Sequence, residues 1–204
     1  MRVAVIDVGS PKNLGWAIDG PDQEGDDLDT AVQAIASALR AGPVALGFEA
    51  PQFTPMRNDP LTLTQARTGE GARPFSAAAG ASVLVASLVV VPYVMASLRR
   101  EIPDGAATFD WKRKLTGRGN LLLWEAFVSN QNSRDPERHK QDAKRAVLDF
   151  REIMTNSTTL ESDVTAPQVF NLLGAVLLRT RWSTDLSLLS APCLVVRSAA
   201  RGAA

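Results

Sequence analysis

Three carboxylates and one imidazole in this chain have the residue types and the spacing that metal-dependent chemistry requires. Asp7 follows an apolar run at 3–6, and Glu49 follows a second apolar run at 44–48. A run of apolar and β-branched residues that ends in an acid places the carboxylate at the carboxyl edge of a sheet. We therefore expect the Asp7 and Glu49 side chains at one sheet edge.

The third carboxylate, Asp142, belongs to a helical stripe. After Pro136, side chains three or four positions apart share one helix face, namely His139, Asp142, Ala143, Ala146, Val147, Phe150 and Ile153. This face should pack on the sheet, and an isolated buried charge is very costly. Asp142 must therefore be paired, hydrogen-bonded or bound to a metal. His139 lies one turn earlier on the same face.

Three carboxylates that meet at one edge suit hard divalent cations, above all Mg²⁺ or Mn²⁺. Two such ions can activate a water and stabilise the leaving oxygen in phosphodiester cleavage. Other interpretations of each residue stay open at this point. Asp7 could cap a turn, Glu49 could be an ordinary strand exit, Asp142 could form a structural salt bridge, and His139 could be a surface residue at a helix start.

Two further residues are additional candidates for the same site. Lys12 lies in the turn after Asp7 and could reach a phosphate, although a solvated lysine is the alternative. Glu125 lies between Trp124 and Phe127, where a role in the site and a structural pair with an arginine are both open.

A basic turn is the main candidate for contact with phosphates elsewhere in the chain. It comprises Lys112, Arg113 and Lys114, and a solvated turn is the alternative interpretation. The nearby Trp111, like Trp124 and Trp182, is predicted to be a core residue rather than a platform for base stacking.

Composition limits the classes of function that remain. The 204 residues contain 22 Lys plus Arg and 22 Asp plus Glu, and this size fits one α/β domain over 1–198 with a frayed tail at 199–204. The zero net charge argues against broad, nonspecific nucleic-acid binding, which usually needs a basic excess. The first 50 residues hold eight acids and three bases, so the remainder is basic and could present a local basic face.

Cys193 is the only cysteine, which excludes an intrachain disulfide and a cysteine-based zinc site. We therefore expect a reducing compartment and a cytoplasmic location. Cys193 lies in an apolar run and is predicted to be a buried strand thiol. Asp7 interrupts the first apolar run, so no leader segment is expected there.

The chain predicts strands and helices in an order that positions these acids. A hairpin is expected over 2–8 and 14–19, followed by a turn at 20–28 with no third strand. Further strands are expected at 44–48, 121–128 and 192–197. Helices are expected over 30–40, capped by Asp29 or Thr30, from Pro136 to about Met154, capped by Ser133 or Asp135, and over 167–181. A long polar loop at 51–74 and a linker at 155–163 separate them.

One apolar segment raises the question of a membrane. Residues 75–98 carry no charge and meet the length test for a spanning helix. Their many alanines and serines, Gly80 and the central Pro92 instead predict a buried core helix, or a helix pair broken near Pro92. We expect no membrane partner, and this stretch could serve a homodimer interface.

Several motifs together resemble the RNase H-like superfamily, in particular RuvC-type Holliday-junction resolvases and a group of bacterial predicted RNase H-like nucleases of uncertain role. Ile6-Asp-Val-Gly-Ser10 is similar to the resolvase opening, and Gly15-Trp16 to the Gly-Trp of the predicted nucleases. Gly47-Phe-Glu-Ala-Pro51 resembles the second acidic strand end. His139-Lys-Gln-Asp-Ala143 resembles the helix motif of the last catalytic acid. Trp124-Glu125-Ala126 is similar to an acid-bearing strand in the predicted-nuclease group.

The resemblance implies an RNase H-like mixed β-sheet flanked by helices and a nuclease that acts on DNA or RNA. Carried over by position, Asp7, Glu49 and Asp142 would be metal ligands. His139 would be a neighbour of the ligands or would orient the attacking water. The resemblance covers about residues 2–150.

Two other classes of function remain open. One is a nucleotide- or sugar-phosphate-binding protein of actin/hexokinase-like ancestry, which would need a second domain of this kind. The other is a non-catalytic interaction module that keeps the fold without the chemistry.

Overall fold

The computed structural model of the chain describes residues 1–10, 13–20, 23–72, 74–128, 135, 137–156 and 160–198. Within these ranges the protein is a mixed α/β structure. Its main sheet has seven described strands, β1 (Arg2–Ser10), β2 (Asn13–Ile18), β3 (Glu24–Gly25), β4 (Val44–Glu49), β6 (Ala106–Thr108), β7 (Asn120–Val128) and β9 (Val195–Ser198). A second sheet pairs β5 (Phe53–Pro55) with β8 (Val169–Asn171).

The main sheet is mostly parallel, with an antiparallel start. Its order is β3-β2-β1-β4-β7-β6, and β9 also pairs with β7. Strands β1, β2 and β3 form an antiparallel meander, whereas β4, β7, β6 and β9 are joined by parallel pairings. Parallel strands carry their carboxyl ends to the same edge.

Helices cover both faces of this sheet. The described helices are α1 (Leu28–Ala41), α2 (Ala78–Glu101), α3 (Arg138–Asn156) and α4 (Leu172–Arg179). One face packs against α3 through a core that includes Val5, Trp124 and Phe150. The other face packs against α1, α2 and α4. Because both faces are covered, β1, β4 and β7 consist of nearly continuous apolar residues.

The predicted hairpin is confirmed, but the turn that follows contains a short third strand. Glu24 and Gly25 pair with β2, although acids and glycine are poor strand formers. Pairing to the existing edge of the sheet outweighs that local preference. Helix α1 also begins earlier than predicted, because Asp27 rather than Asp29 or Thr30 accepts the capping hydrogen bond, from the Thr30 N–H at 2.8 Å.

The apolar segment forms a single helix rather than a broken pair. Helix α2 continues through Pro92, whose ring removes one backbone donor without ending the helix. Its inner face is buried, but Val85, Leu88, Val89 and Tyr93 are exposed. By length and composition this helix could cross a membrane, and a core helix of a soluble protein can meet the same test. The exposed face is where the predicted homodimer contact would lie.

The C-terminal third departs most from the predicted elements. The helix predicted over 167–181 is instead the short strand β8 followed by α4, which Asn171 caps through the Gly174 N–H. The strand predicted over 192–197 is β9, which begins only at Val195, so Cys193 is buried as predicted but lies before the strand. Burial raises the pKa of its thiol. The predicted cap Ser133, Pro136 and the tail at 199–204 lie outside the described residues.

The segment at 51–74, predicted as a polar loop, is held against the sheet by the buried side chain of Arg67. The Arg67 guanidinium is fully buried and donates to both carboxylate oxygens of Glu125 on β7, at 2.6 and 2.8 Å. It also pairs with Glu70 at 3.0 Å and stacks over the Phe53 ring. The backbone N–H of Gln52 donates to Glu125 as well, at 2.9 Å. Glu125 is therefore the structural partner of an arginine, which is one of the two roles left open for it.

Replacing Arg67 should destabilise the protein strongly. Arg67→Ala leaves the carboxylates of Glu125 and Glu70 buried without their cation, and breaking a buried ion pair typically costs about 3–5 kcal/mol. Urea unfolding of the variant and the parent protein measures this difference.

Arg40→Ala is the matched control, because it also separates an arginine from a glutamate, Glu101, but at the surface. It should change the free energy of unfolding by about 1 kcal/mol or less. Equal losses for the two variants would contradict a structural role of the buried network.

Candidate metal centre

The ends of β1 and β4 place two of the predicted acids side by side. The parallel register pairs Asp7 with Glu49, so both side chains emerge on the same face of adjacent strands. This is the face on which α3 packs, and α3 contributes Asp142. One oxygen from each of the three carboxylates lies within 4.8 Å of the others. The predicted convergence of Asp7, Glu49 and Asp142 is confirmed.

The three carboxylates are withdrawn from water. Asp7 and Asp142 are 5% and 6% exposed. The Oε2 atom of Glu49 is buried and has no hydrogen-bond partner among the described residues. A buried oxygen without a partner is costly, and a bound cation would satisfy it.

The cluster changes the proton affinity of its central member. Burial raises the pKa of the Glu49 carboxyl well above its ordinary value, and the charges of Asp7 and Asp142 raise it further. The Arg138 guanidinium acts in the opposite direction but does not overcome these causes. Without a cation, Glu49 therefore tends to hold its proton. A divalent ion would reverse this preference, because its charge lets close carboxylates stay ionised.

His139 supports the first carboxylate rather than joining the group of three. Its Nδ1 lies 2.7 Å from Oδ2 of Asp7, and its Nε2 lies 3.3 Å from a nitrogen of Arg138. A guanidinium can only donate, so Nε2 is the acceptor and the ring proton is on Nδ1. The Nδ1–H then donates to Asp7 and fixes the orientation of its carboxylate.

The donor set fits a small, hard cation. All three groups offer carboxylate oxygens, which Mg²⁺ and Mn²⁺ prefer. Oxygens on opposite sides of an octahedral Mg²⁺ lie about 4.2 Å apart, twice the metal–oxygen bond. Adjacent oxygens lie about 3.0 Å apart, so three oxygens within 4.8 Å of one another can share one ion after inward shifts of up to about 2 Å.

The two additional candidates do not belong to this cluster in the described structure. Glu125 is in register with Phe48, so its side chain points to the opposite face of the sheet from Glu49. There it binds Arg67. Lys12 lies outside the described residues.

A glycine allows the helix to reach the sheet at this point. Gly15 on β2 pairs with Asp7, and a Cβ built at Gly15 would lie 2.2 Å from the backbone carbonyl carbon of His139. The first turn of α3 thus rests directly on the β2 backbone. This contact brings His139 and Asp142 to Asp7.

Two contributors to the site emerge only from the structure. The sequence offers Gly15 only as part of a motif, because the helix that packs on it cannot be inferred from the strand alone. Arg138 was overlooked because an arginine at a helix start is usually solvated. Its position directly before His139 was the available signal.

Comparisons with family models, with curated proteins and with solved structures returned no match for this chain.

Adding a methyl group at Gly15 should disturb the metal centre. In Gly15→Ala the start of α3 must move by about 1 Å, because close-packed backbone cannot absorb the new atom. We expect Mn²⁺ affinity to fall by about tenfold or more, as when a group that orients metal ligands is lost. Isothermal titration with Mn²⁺ measures the affinity.

Gly42→Ala is the matched control, since a Cβ at Gly42 meets no atom within 4 Å and its backbone is extended. This variant should bind Mn²⁺ like the parent protein. Unchanged affinity in a folded Gly15→Ala variant would show that the α3 contact does not position the site.

The raised pKa of Glu49 predicts a specific pH dependence of stability. The folded state holds the Glu49 proton more tightly than the unfolded chain does. In EDTA, stability should therefore fall as the pH rises from the ordinary value of 4.5 towards the folded-state pKa. Glu49→Gln removes the titrating group, so the variant should be more stable than the parent protein at neutral pH.

Urea unfolding at a series of pH values measures both quantities. Asp149→Asn, which alters a salt-bridged acid on α3 outside the cluster, serves as the control and should keep the fall with pH. If the stabilities of the parent protein and of Glu49→Gln change with pH in the same way, the raised pKa assigned to Glu49 is contradicted.

Proposed function

We propose that this protein is a divalent-metal-dependent nuclease that cleaves phosphodiester bonds, or a catalytically reduced relative of one. The observation that carries the proposal is the meeting of Asp7, Glu49 and Asp142, from three separate elements, with their oxygens within 4.8 Å. Structural ion pairs seldom gather three buried acids, because each added charge raises the cost. A cation site gives this arrangement a function.

We also propose that the fold is RNase H-like. The antiparallel meander β1–β3, the parallel strands that follow and the helix α3 across the strand ends support this assignment. So does the chain order of the acids, which come from the first strand, a later strand end and a following helix. The short β3 supplies the third strand of the opening meander.

Each residue of the centre has a distinct role in the proposed reaction. Asp7, Glu49 and Asp142 would hold Mg²⁺ or Mn²⁺. When bound, such ions supply an activated water and stabilise the leaving oxygen. His139 is a positioning residue, because its Nδ1–H holds Oδ2 of Asp7. Arg138 adds a positive charge beside the acids, where it can favour the approach of a phosphate.

The proposed substrate is nucleic acid, DNA or RNA, and the proposed location is cytoplasmic. The homodimer and the absence of a membrane partner stay predictions.

Removing a ligand should abolish metal-dependent cleavage without unfolding the protein. Asp7→Asn keeps the hydrogen bond from His139 but loses the carboxylate charge. With Mn²⁺ or Mg²⁺, the parent protein should cleave one or more of single-stranded DNA, duplex DNA, four-way junctions and RNA. Asp7→Asn and Asp142→Asn should each lower the rate at least about a hundredfold, more than the loss of an orienting neighbour does.

Asp149→Asn is the matched control, because Asp149 lies on α3 with Asp142 but pairs with Arg145 away from the cluster. It should keep full activity. Cleavage that survives in Asp7→Asn would overturn the proposal. Stabilisation by ATP with Mg²⁺, but not by Mg²⁺ alone, would instead favour the actin/hexokinase-like alternative. A protein that no divalent metal stabilises would favour a non-catalytic module.

A further inference from the structure

A cavity opens at the sheet edge beside the end of β6, away from the carboxylates. Its volume is about 350 Å³, within the range of small-ligand sites. The walls come from the segment after β6 and from the segment that leads into β9. Phe109 and Trp111 form one side, and Leu188, Ala191 and Pro192 form the other.

The aromatic side of the cavity is held in place by the surrounding structure. Phe109 is buried in the core, and the Trp111 indole N–H donates to the backbone oxygen of Leu160 at 2.8 Å. A fixed aromatic wall facing apolar side chains is suited to a flat ring, which gains contact area without ordering the wall first.

The basic turn begins at the rim of this cavity. Lys112 lines it, and Arg113 and Lys114 follow, all three exposed. None of the three cations forms an ion pair within the described part of the chain, whereas Arg2, Arg40, Arg67 and Lys144 each have a carboxylate partner. The one acid at the rim, Asp110, accepts a hydrogen bond from the Lys112 backbone N–H at 3.2 Å. The turn therefore carries three cations against one described acid at the rim and presents a net positive charge.

The cavity lies at the lateral side of β7, between the end of β6 and the start of β9, whereas Asp7 and Glu49 lie at the carboxyl ends of β1 and β4. Strand β6 ends at Thr108, which pairs with Leu122 on β7, and Phe48 beside Glu49 pairs with Glu125 three residues further on. Two inter-strand spacings across the sheet and three residues along a strand separate Thr108 from Phe48, the neighbour of Glu49, by roughly 15 Å. A few nucleotides of an extended strand would span this distance.

We propose that the cavity and the basic turn form a binding site for single-stranded nucleic acid. An unpaired base occupies the cavity against Trp111, which is half-buried rather than the core residue that the sequence predicts. Lys112, Arg113 and Lys114 contact the adjoining phosphates. Bases in a duplex are stacked and paired, so only a single strand or an unpaired nucleotide can offer a free ring. The inference rests on the proposed function and names its substrate class.

Fluorescence anisotropy with a labelled single-stranded oligothymidylate in EDTA tests the site independently of cleavage. The double variant Lys112→Ala, Lys114→Ala should bind the oligonucleotide about tenfold more weakly. The slope of log binding constant against log salt concentration should become shallower by about 1.4, the value for two phosphate contacts on a single strand. The control, Arg100→Ala with Arg179→Ala, removes the same charge from two other exposed arginines. It should change the affinity less than about twofold, because neither arginine contacts a phosphate in this proposal.

Filling the cavity tests the base pocket separately. Ala191→Leu adds volume to the wall and leaves every charge in place, so it should weaken oligothymidylate binding about tenfold, as the loss of one stacked base does. A thermal unfolding midpoint close to that of the parent protein shows that the variant is folded. If it is not, Pro192→Ala, which removes apolar wall without adding volume, replaces it and should also weaken binding.

The outcomes separate this site from the metal centre. Equal losses in the lysine pair and the arginine control would overturn the assigned phosphate contacts. Binding unaffected by the cavity variant would overturn the base pocket. Duplex bound as tightly as single strand, or anionic vesicles bound in place of the oligonucleotide, would overturn the substrate class. Binding that is lost in these variants while Asp7→Asn still binds supports the site, whether or not the parent protein cleaves.

Discussion

The repulsion among three buried carboxylates is the constraint on which the rest of this structure depends. The three side chains are withdrawn from water, and burial together with the charges of Asp7 and Asp142 raises the pKa of Glu49. In a fold that made no use of these acids, their side chains would be free to point into solvent. Here two come from the ends of neighbouring strands and the third from a packed helix, so that none can move away without disturbing the core.

The scaffold opposes this repulsion with rigid neighbours. The parallel register of β1 and β4 fixes Asp7 beside Glu49, and the stack of Trp124 on Phe150 fixes α3 against the sheet, with ring centroids 4.2 Å apart. Gly15 lets the start of α3 come close enough for His139 to reach Asp7. Two requirements conflict at Glu49. Without a cation, a protonated Glu49 reduces the repulsion among the three carboxylates, whereas the proposed metal site needs Glu49 ionised.

The centre of the site was predictable from the sequence because its signals are local and periodic. An acid that ends an apolar run marks a strand end, and the stripe through Asp142 and Phe150 marks the buried face of a helix. What the sequence could not show is set by tertiary contacts. The strands β3, β6 and β8 are two or three residues long and depend on their partners.

The same limit applies to charged residues and to cavities. The polar composition of the segment at 51–74 predicts a solvated loop. Arg67 in this segment is nevertheless buried, because it pairs with Glu125 on the face of β7 opposite the metal centre. The sequence left two roles open for Glu125, in the metal centre or as the partner of an arginine. The choice depends on which face of the sheet its side chain occupies, and the register of β7 sets that face. The cavity beside Trp111 depends on residues about 80 positions apart in the chain.

The most direct test of the metal centre is a crystal structure of the protein grown with Mn²⁺ and measured at a wavelength where manganese scatters anomalously. We predict an anomalous peak between Asp7, Glu49 and Asp142, about 2.1 Å from a carboxylate oxygen of each. No peak at saturating Mn²⁺, with an oxygen of Glu49 at hydrogen-bond distance from a neighbouring carboxylate instead, would contradict the metal centre.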